Sequence, residues 1–162
     1  MKRLKIYLDT SVISHLDAPD VPEKQEDTRK LWEMIQAGEY EAYISPVVIG
    51  EVMDCEEPKR SRLLRYLGEI QHTELQKTDE VSELATKYLE AGILRKKSFD
   101  DCQHIAYACA YNCDMLVSWN FKHMVNIKTI AGVRSVNALA GYKEMPIYTP
   151  TILISGGADD DS

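Results

Sequence analysis

Leu4-Lys5-Ile6-Tyr7-Leu8 runs straight into Asp9-Thr10-Ser11, five mostly apolar, β-favouring residues followed by three polar, turn-forming ones. A short apolar run bounded in this way predicts a buried strand that ends in a polar loop. The same pattern returns at Tyr40 to Ser45 and at Met115-Leu116-Val117 before Ser118-Trp119-Asn120, with a late β-like pair at Ile147-Tyr148. Between these segments the apolar spacing is helical. Leu31, Trp32 and Ile35 mark a helix over 28–37 that stops at Gly38, after a loop rich in Pro, Asp and Glu from Asp17 to Asp27. Ser45-Pro46 starts another, carrying Val47, Val48, Val52 and Met53 on its buried stripe. Pro58 opens a third that runs to Ile70, and Val81, Leu84, Ala85, Tyr88 and Leu89 mark a fourth over 79–91, closed by Gly92. Ser98 caps a helix from Phe99 to about Asn112, and 121–130 reads as helical too. Strands alternating with helices predict an α/β fold, a three-layer α/β/α sandwich with a central parallel sheet, and place ligands at the carboxyl ends of the strands. Asp9 and Asn120 both stand at such ends.

Length and composition fit one ordinary globular domain. The chain has 162 residues, 44% apolar and 28% charged, so residues 1–150 are read as one domain and 151–162 as a largely disordered tail ending in Gly156 to Ser162. No apolar run reaches the roughly 18 residues of a membrane span, and MKRLKIYLDT turns acidic before a signal-peptide core forms. A soluble, cytoplasmic protein is expected. Cys55, Cys102, Cys109 and Cys113 are then read as reduced thiols. The net charge of −7, three of it from Asp159, Asp160 and Asp161, excludes a generally basic nucleic-acid coat. Cations are nonetheless bunched at Lys59, Arg60, Arg62 and Arg65, at Arg95, Lys96 and Lys97, and at Lys122, His123 and Lys128. Solvated helix faces explain such bunches as readily as a binding patch.

Three acids stand where a solvated carboxylate is least expected. Asp9 closes a buried strand, Glu51 follows Val47 and Val48 on an apolar helix face, and Asp101 lies four residues before Ile105 on another. Each is expected to face inward. Ionised carboxylates withdrawn from water need a cation or donors, so several converging acids point to a hard divalent cation, Mg²⁺ or Mn²⁺, held by oxygen ligands. Such ions activate water and stabilise a leaving oxygen in phosphodiester hydrolysis. Local roles compete with this reading. Acids favour the first turn of a helix, where Asp100 and Asp101 fall, Asp9 is also a turn former, and Ser11 is also a turn or cap residue.

Ile6-Tyr7-Leu8-Asp9-Thr10-Ser11-Val12, Pro46-Val47-Val48-Ile49-Gly50-Glu51-Val52, Asp101-Cys102-Gln103-His104-Ile105-Ala106 and Leu116-Val117-Ser118-Trp119-Asn120-Phe121 resemble, in order, the successive motifs of the PIN domain family. Within it the chain is most similar to VapC-type toxins and their orphan relatives, with Ser118 to His123 the most particular match. The resemblance implies Asp9, Glu51 and Asp101 as acidic metal ligands, Ser11 as support for the first, and Asn120 as the fourth polar ligand. Many PIN domains carry Asp there; Asn120 ligates only through a neutral carbonyl oxygen. The activity implied is metal-dependent endonucleolytic hydrolysis of RNA, with a cognate antitoxin and a homodimer as expected partners and Arg95, Lys96, Lys97 and Lys122 as candidates for holding the phosphate backbone. His104 falls one helical turn after Asp101, in the site or in the core, and Trp119 either stacks on a base or packs at the strand end.

Other readings fit some of the same residues. The Asp9-Thr10-Ser11 string also suggests an aspartic protease loop, but those enzymes are all-β, and an aspartate-nucleophile hydrolase would need an acid at position 11. Cys102, His104, Cys109, Cys113 and His123 offer zinc-type ligands at poor spacing, with the cysteines at helical intervals that suit small core residues. A PIN-like module that binds RNA or protein without cutting is the rival favoured by Asn120 and the acidic charge.

Overall fold

The computed structural model describes residues 2–155. In chain order the elements are β1 (Leu4–Leu8), α1 (Thr10–Ser14), α2 (Pro22–Gln36), β2 (Tyr40–Ile44), α3 (Pro46–Met53), α4 (Lys59–Gly68), β3 (His72–Glu74), α5 (Asp79–Glu90), α6 (Phe99–Ala110), β4 (Met115–Val117), α7 (Ile127–Ala140), β5 (Ile147–Tyr148) and α8 (Pro150–Ser155). Single 3₁₀ turns follow α1 at His15–Asp17 and precede α6 at Lys96–Ser98. The sheet has five strands in the order β3-β2-β1-β4-β5, and every pairing is parallel. Helix α5 packs on α6 and on α7, and α2 packs on α8, giving the three-layer α/β/α arrangement expected of alternating strands and helices.

The core is continuous across the layers. Ile6, Tyr7 and Leu8 of β1, Leu116 and Val117 of β4, and Ile105, Ala106 and Cys109 of α6 are all buried. Cys109 Sγ meets the Tyr88 hydroxyl and the Asn137 amide at 3.3 Å, so the helical cysteines serve the core. No helix among the described residues is long and apolar enough to cross a membrane.

Several boundaries differ from the sequence reading. Helix α2 begins at Pro22 rather than at Thr28, because its first turns face solvent and show no apolar period, while Pro22 has the fixed φ suited to a first helical residue. Helix α7 begins only at Ile127, so the expected helix does not extend back over 121–125. Asn126 Oδ1 accepts the Thr129 N–H at 2.9 Å and caps it. Ser98 stands before α6 but makes no side-chain capping bond. Asp9 is itself the cap of the short helix α1, where the sequence suggests only a turn. The edge strand β3 has all three residues exposed, so it carries no buried pattern to read. Residues 151–155 form the body of α8, with Leu153 buried, and are not a disordered tail. The Gly156–Ser162 end, expected to be disordered, lies outside the described residues.

The strand order reverses direction at β1, with β2 following on one side and β4 reached by crossover on the other. Loops leaving the carboxyl ends of β1 and β4 therefore diverge and leave a crevice between them. Leu8 pairs with Val117 in the last register position of that junction, so Asp9 and Ser118 emerge side by side.

Candidate active site

Asp9 and Ser11 join the two loops of the crevice. The Asp9 carboxylate is buried, at 3% exposure, and its Oδ1 accepts the Val12 N–H at 3.4 Å, a donor shared with the Asp9 backbone oxygen at 3.2 Å. Ser11 Oγ donates to the same Oδ1 at 2.5 Å and accepts the Trp119 N–H at 2.9 Å. Ser118 Oγ, 3.4 Å from Ser11 Oγ, accepts the Asn120 N–H. Burial pushes the Asp9 carboxyl above the ordinary carboxylate value and the charge of Asp101 adds to this, while His104 and the two serine hydroxyls pull it back.

Glu51 projects from α3, whose start is fixed by Ser45 Oγ accepting the Val47 N–H and by Pro46 in the first turn. Glu51 Oε1 accepts the Thr10 hydroxyl at 2.7 Å and meets His104 Nε2 at 2.7 Å. His104 Nδ1 in turn meets the Tyr7 hydroxyl at 2.7 Å, and Tyr7 meets Ser45 Oγ at 2.7 Å. A carboxylate only accepts, so Nε2 carries a proton; in the neutral imidazole Nδ1 then accepts from Tyr7, which accepts from Ser45. Burial alone would raise Glu51, but the hydrogen bonds from His104 and Thr10 hold it below the usual value. Burial would likewise depress His104, yet the charges of Glu51, Asp9 and Asp101 outweigh that and raise it.

Asp101 lies in the first turn of α6, and its Oδ2 pairs with His123 Nδ1 at 3.0 Å. Burial raises the Asp101 carboxyl, Glu51 adds to the effect, and both histidines oppose it. Asn120 sets the turn that presents His123: its Oδ1 accepts the His123 N–H at 3.0 Å and its backbone oxygen accepts from Met124 and Val125. Trp119 is packed rather than free to stack, with its indole N–H on Thr28 Oγ1 at 2.8 Å and 6% of its surface exposed.

The three acids thus lie about one buried imidazole, which Glu51 contacts directly, with Asp9 feeling the charge of Asp101 and Asp101 that of Glu51, but they differ in how deeply they are set. Asp9 is buried, whereas the side chains of Glu51 and Asp101 are 38% and 20% exposed, so the expectation that all three face inward holds fully for Asp9 alone. The protein's donors meet each carboxylate through a single oxygen, Oδ1 of Asp9, Oε1 of Glu51 and Oδ2 of Asp101. By donor chemistry the set fits a hard divalent cation: oxygen ligands, an excess of negative charge and one oxygen of each acid left without a hydrogen-bond donor among the described residues. In spacing it is open. Among the described residues no group of three His, Cys, Asp or Glu side chains is gathered closely enough to hold an ion, because Glu51 is turned to His104 and Asp101 to His123. Asp114, at the other end of β4, accepts the Lys5 N–H at 2.7 Å and takes no part.

Sequence reasoning does not single out Thr10, Tyr7, Ser45 or Ser118, nor His123 as the partner of Asp101. A hydroxyl's role depends on what folding places opposite it, so the only sequence signal is membership of a motif: Tyr7 and Thr10 lie in the Ile6–Val12 string, and Ser118 and His123 end the Ser118–His123 run.

Comparison with known proteins places this geometry in context. Among the solved structures that share the fold are two VapC-type proteins. VapBC2 of Rickettsia felis, solved bound to a DNA fragment from its promoter, is 16% identical, with TM-score 0.58 over 90% of this chain and 98% of that one. VapC20 of Mycobacterium tuberculosis, a Sarcin-Ricin loop cleaving toxin, is 18% identical, with TM-score 0.57 over 86% of this chain and 98% of that one. No curated protein matches the sequence. The sequence pattern of the PIN domain matches residues 5–122, a span that takes in β1 through the loop after β4 and every residue of the crevice described above except His123, so the chain belongs to the PIN domain family.

Proposed function

We propose that this protein is a Mg²⁺- or Mn²⁺-dependent endoribonuclease that hydrolyses RNA phosphodiester bonds as the toxin of a type II toxin–antitoxin pair. The observation that carries the reading is that Thr10, next to Asp9, and His104, one turn after Asp101 on α6, both hold Glu51 at 2.7 Å, which brings the three acids to one carboxyl edge of the sheet in a PIN domain. Support for the substrate and the partner comes from the neighbours in fold, one a toxin that cleaves the Sarcin-Ricin loop and one a VapBC complex. A cytoplasmic setting, a cognate antitoxin and a second copy of the chain belong to the same reading.

In it, Asp9, Glu51 and Asp101 hold the ion with Asn120 beside them. The ion, when bound, would lower the pKa of water and stabilise the leaving oxygen. Ser11 fixes the Asp9 carboxylate by donating to Oδ1, and His104 with Thr10 fixes Glu51. His123 orients Asp101 and lies partly exposed at the mouth, where a phosphate would pass. A second reading, binding of RNA or protein without cleavage, is favoured by one observation, the open spacing of the acids.

The test is incubation of purified protein with structured RNA in Mg²⁺, Mn²⁺ or EDTA, beside an Asp9→Asn variant. Cleavage that needs the ion and disappears in the variant supports the nuclease. Equal cleavage by both proteins identifies a contaminant, and retained binding without cleavage identifies the module.

A further inference from the structure

Helix α7 carries its largest apolar side chains on the side that faces water. Its buried positions are Thr129, Val133 and Asn137, two of them polar, with Ile130 and Val136 partly buried against the core. On the outer side Ile127 is 87% exposed and Leu139 92%, while no other large apolar side chain among the described residues exceeds 49%. Ala131, Ser135 and Ala138 lie exposed between them. The helix cannot roll to hide the pair. Asn137 Oδ1 accepts the Tyr88 hydroxyl at 2.6 Å, its amide donates to the Lys143 backbone oxygen at 3.0 Å, and Thr129 Oγ1 donates to the His123 backbone oxygen at 2.8 Å. Rolling would strand those polar groups without partners. The inner side is also seated closely, since a Cβ at Gly132 would stand 2.8 Å from Ile93 Cγ1.

We infer that the outer face of α7 is covered by α7 of a second copy of the chain, packed antiparallel about Val133. Ile127, Ala131, Ser135 and Leu139 follow one another at intervals of four and form one ridge, large at both ends and small in the middle. Reversed on itself, the ridge sets Ile127 of each copy against Leu139 of the other and Ala131 against Ser135, where small side chains let the backbones approach. A patch that matches itself in this way is what a two-fold contact requires. Charge selects the direction. Antiparallel packing puts Lys128 opposite Ala138 and Arg134 opposite Gly132, whereas parallel packing would bring each cation onto its own counterpart. An acidic partner is the weaker fit, because Arg134 already pairs with Glu144 at 2.7 Å, which leaves Lys128 as the one unpaired cation of α7. The interface takes its partner from the second copy in the proposed toxin, but nothing in the packing depends on RNA cleavage.

Light scattering on size-exclusion fractions in EDTA tests the interface. Wild type should have twice the 18.4 kDa mass of the chain. Leu139→Glu replaces a side chain that is almost fully exposed in the monomer, so it should fold normally and raise the dimer dissociation constant by about tenfold or more, the scale of one interface anchor lost. Leu64→Glu, at an exposed apolar position on α4, should leave the dimer unchanged. In oxidising cross-linking, read over the wild-type background from half-buried Cys55, a mixture of Ile127→Cys and Leu139→Cys proteins should form a covalent dimer, and neither variant should do so alone. A monomeric wild type overturns the interface. So does a dimer that survives Leu139→Glu, one that dissociates with Leu64→Glu instead, or cross-linking of either cysteine variant with itself. An inactive protein that dimerises through α7 keeps the interface and loses the nuclease, whereas an active one whose dimer survives Leu139→Glu does the reverse.

Discussion

His104 and Glu51 meet at 2.7 Å across the boundary between core and solvent, the imidazole 2% exposed and the carboxylate 38%. The buried ring is thus the anchor and the acid the group being positioned. Its other nitrogen is held by Tyr7, so a hydroxyl deep under the sheet edge sets which proton the ring offers to Glu51. Tyr7→Phe removes that hydroxyl alone. It leaves Nδ1 and Ser45 without their partner, at a cost of about 1–3 kcal/mol in stability. Cleavage should fall by roughly tenfold in kcat with KM unchanged, the scale of losing an outer-shell partner. Steady-state kinetics on a labelled RNA, with denaturant unfolding in parallel, checks both.

Asp9→Asn should stabilise the protein in EDTA while abolishing cleavage. The amide still caps α1 and accepts from Ser11, but the buried charge is gone. A gain on the order of 1 kcal/mol would raise Tm by about 2–4 °C. The sign with pH follows from the raised carboxyl: ionised Asp9 costs stability above its folded pKa, and the cost is relieved as pH falls through that value. The gap between variant and wild type should therefore be widest at neutral pH and close on acidification. Added Mg²⁺ should raise Tm for wild type and not for the variant; no shift in wild type would remove the ligand role of Asp9.

Ser11→Ala takes the acceptor from the Trp119 N–H and the donor from Asp9 at one stroke. A loss of about 1–3 kcal/mol is expected, since a backbone N–H at the loop junction is left without a partner. Urea unfolding measures it, and a loss below a few tenths would mean that water replaces the hydroxyl.

Asp114 offers a pH test remote from the crevice. The Lys5 backbone N–H holds its carboxyl below the ordinary value, with Lys143 adding to the effect. The ionised form contributes stability above the unfolded pKa, near roughly 3.9, and loses it as pH falls through the lower folded value. Asp114→Asn should be slightly less stable than wild type at neutral pH and equal to it at the acid end of that window. Acid titrations of unfolding free energy compare the two.

Strands with apolar interiors and helices with apolar stripes are legible because burial on a regular period leaves a regular trace. Leu4 to Leu8, Tyr40 to Ile44 and Met115 to Val117 fall within the strands found, and Ser45-Pro46 starts α3 as expected. Elements that face water leave no such trace, which is why β3 and the first turns of α2 carry no signal. In the crevice the acids are legible by being out of place on apolar faces. Their partners are not: Tyr7 reads as a core aromatic, and its hydroxyl acquires a role only when α3 brings Ser45 and α6 brings His104 within 2.7 Å.

The hydrogen bond between Ser11 and Trp119 spans 108 positions of the chain. During synthesis, Asp9 and Glu51 emerge long before that partner, and Asp101 precedes it by 18 residues. A ribosome-bound nascent chain that has reached α6 holds all three carboxylates yet lacks the β4 loop that closes around the first of them. The finished crevice therefore closes only once β4 has been made, an order of assembly written into the order of the strands.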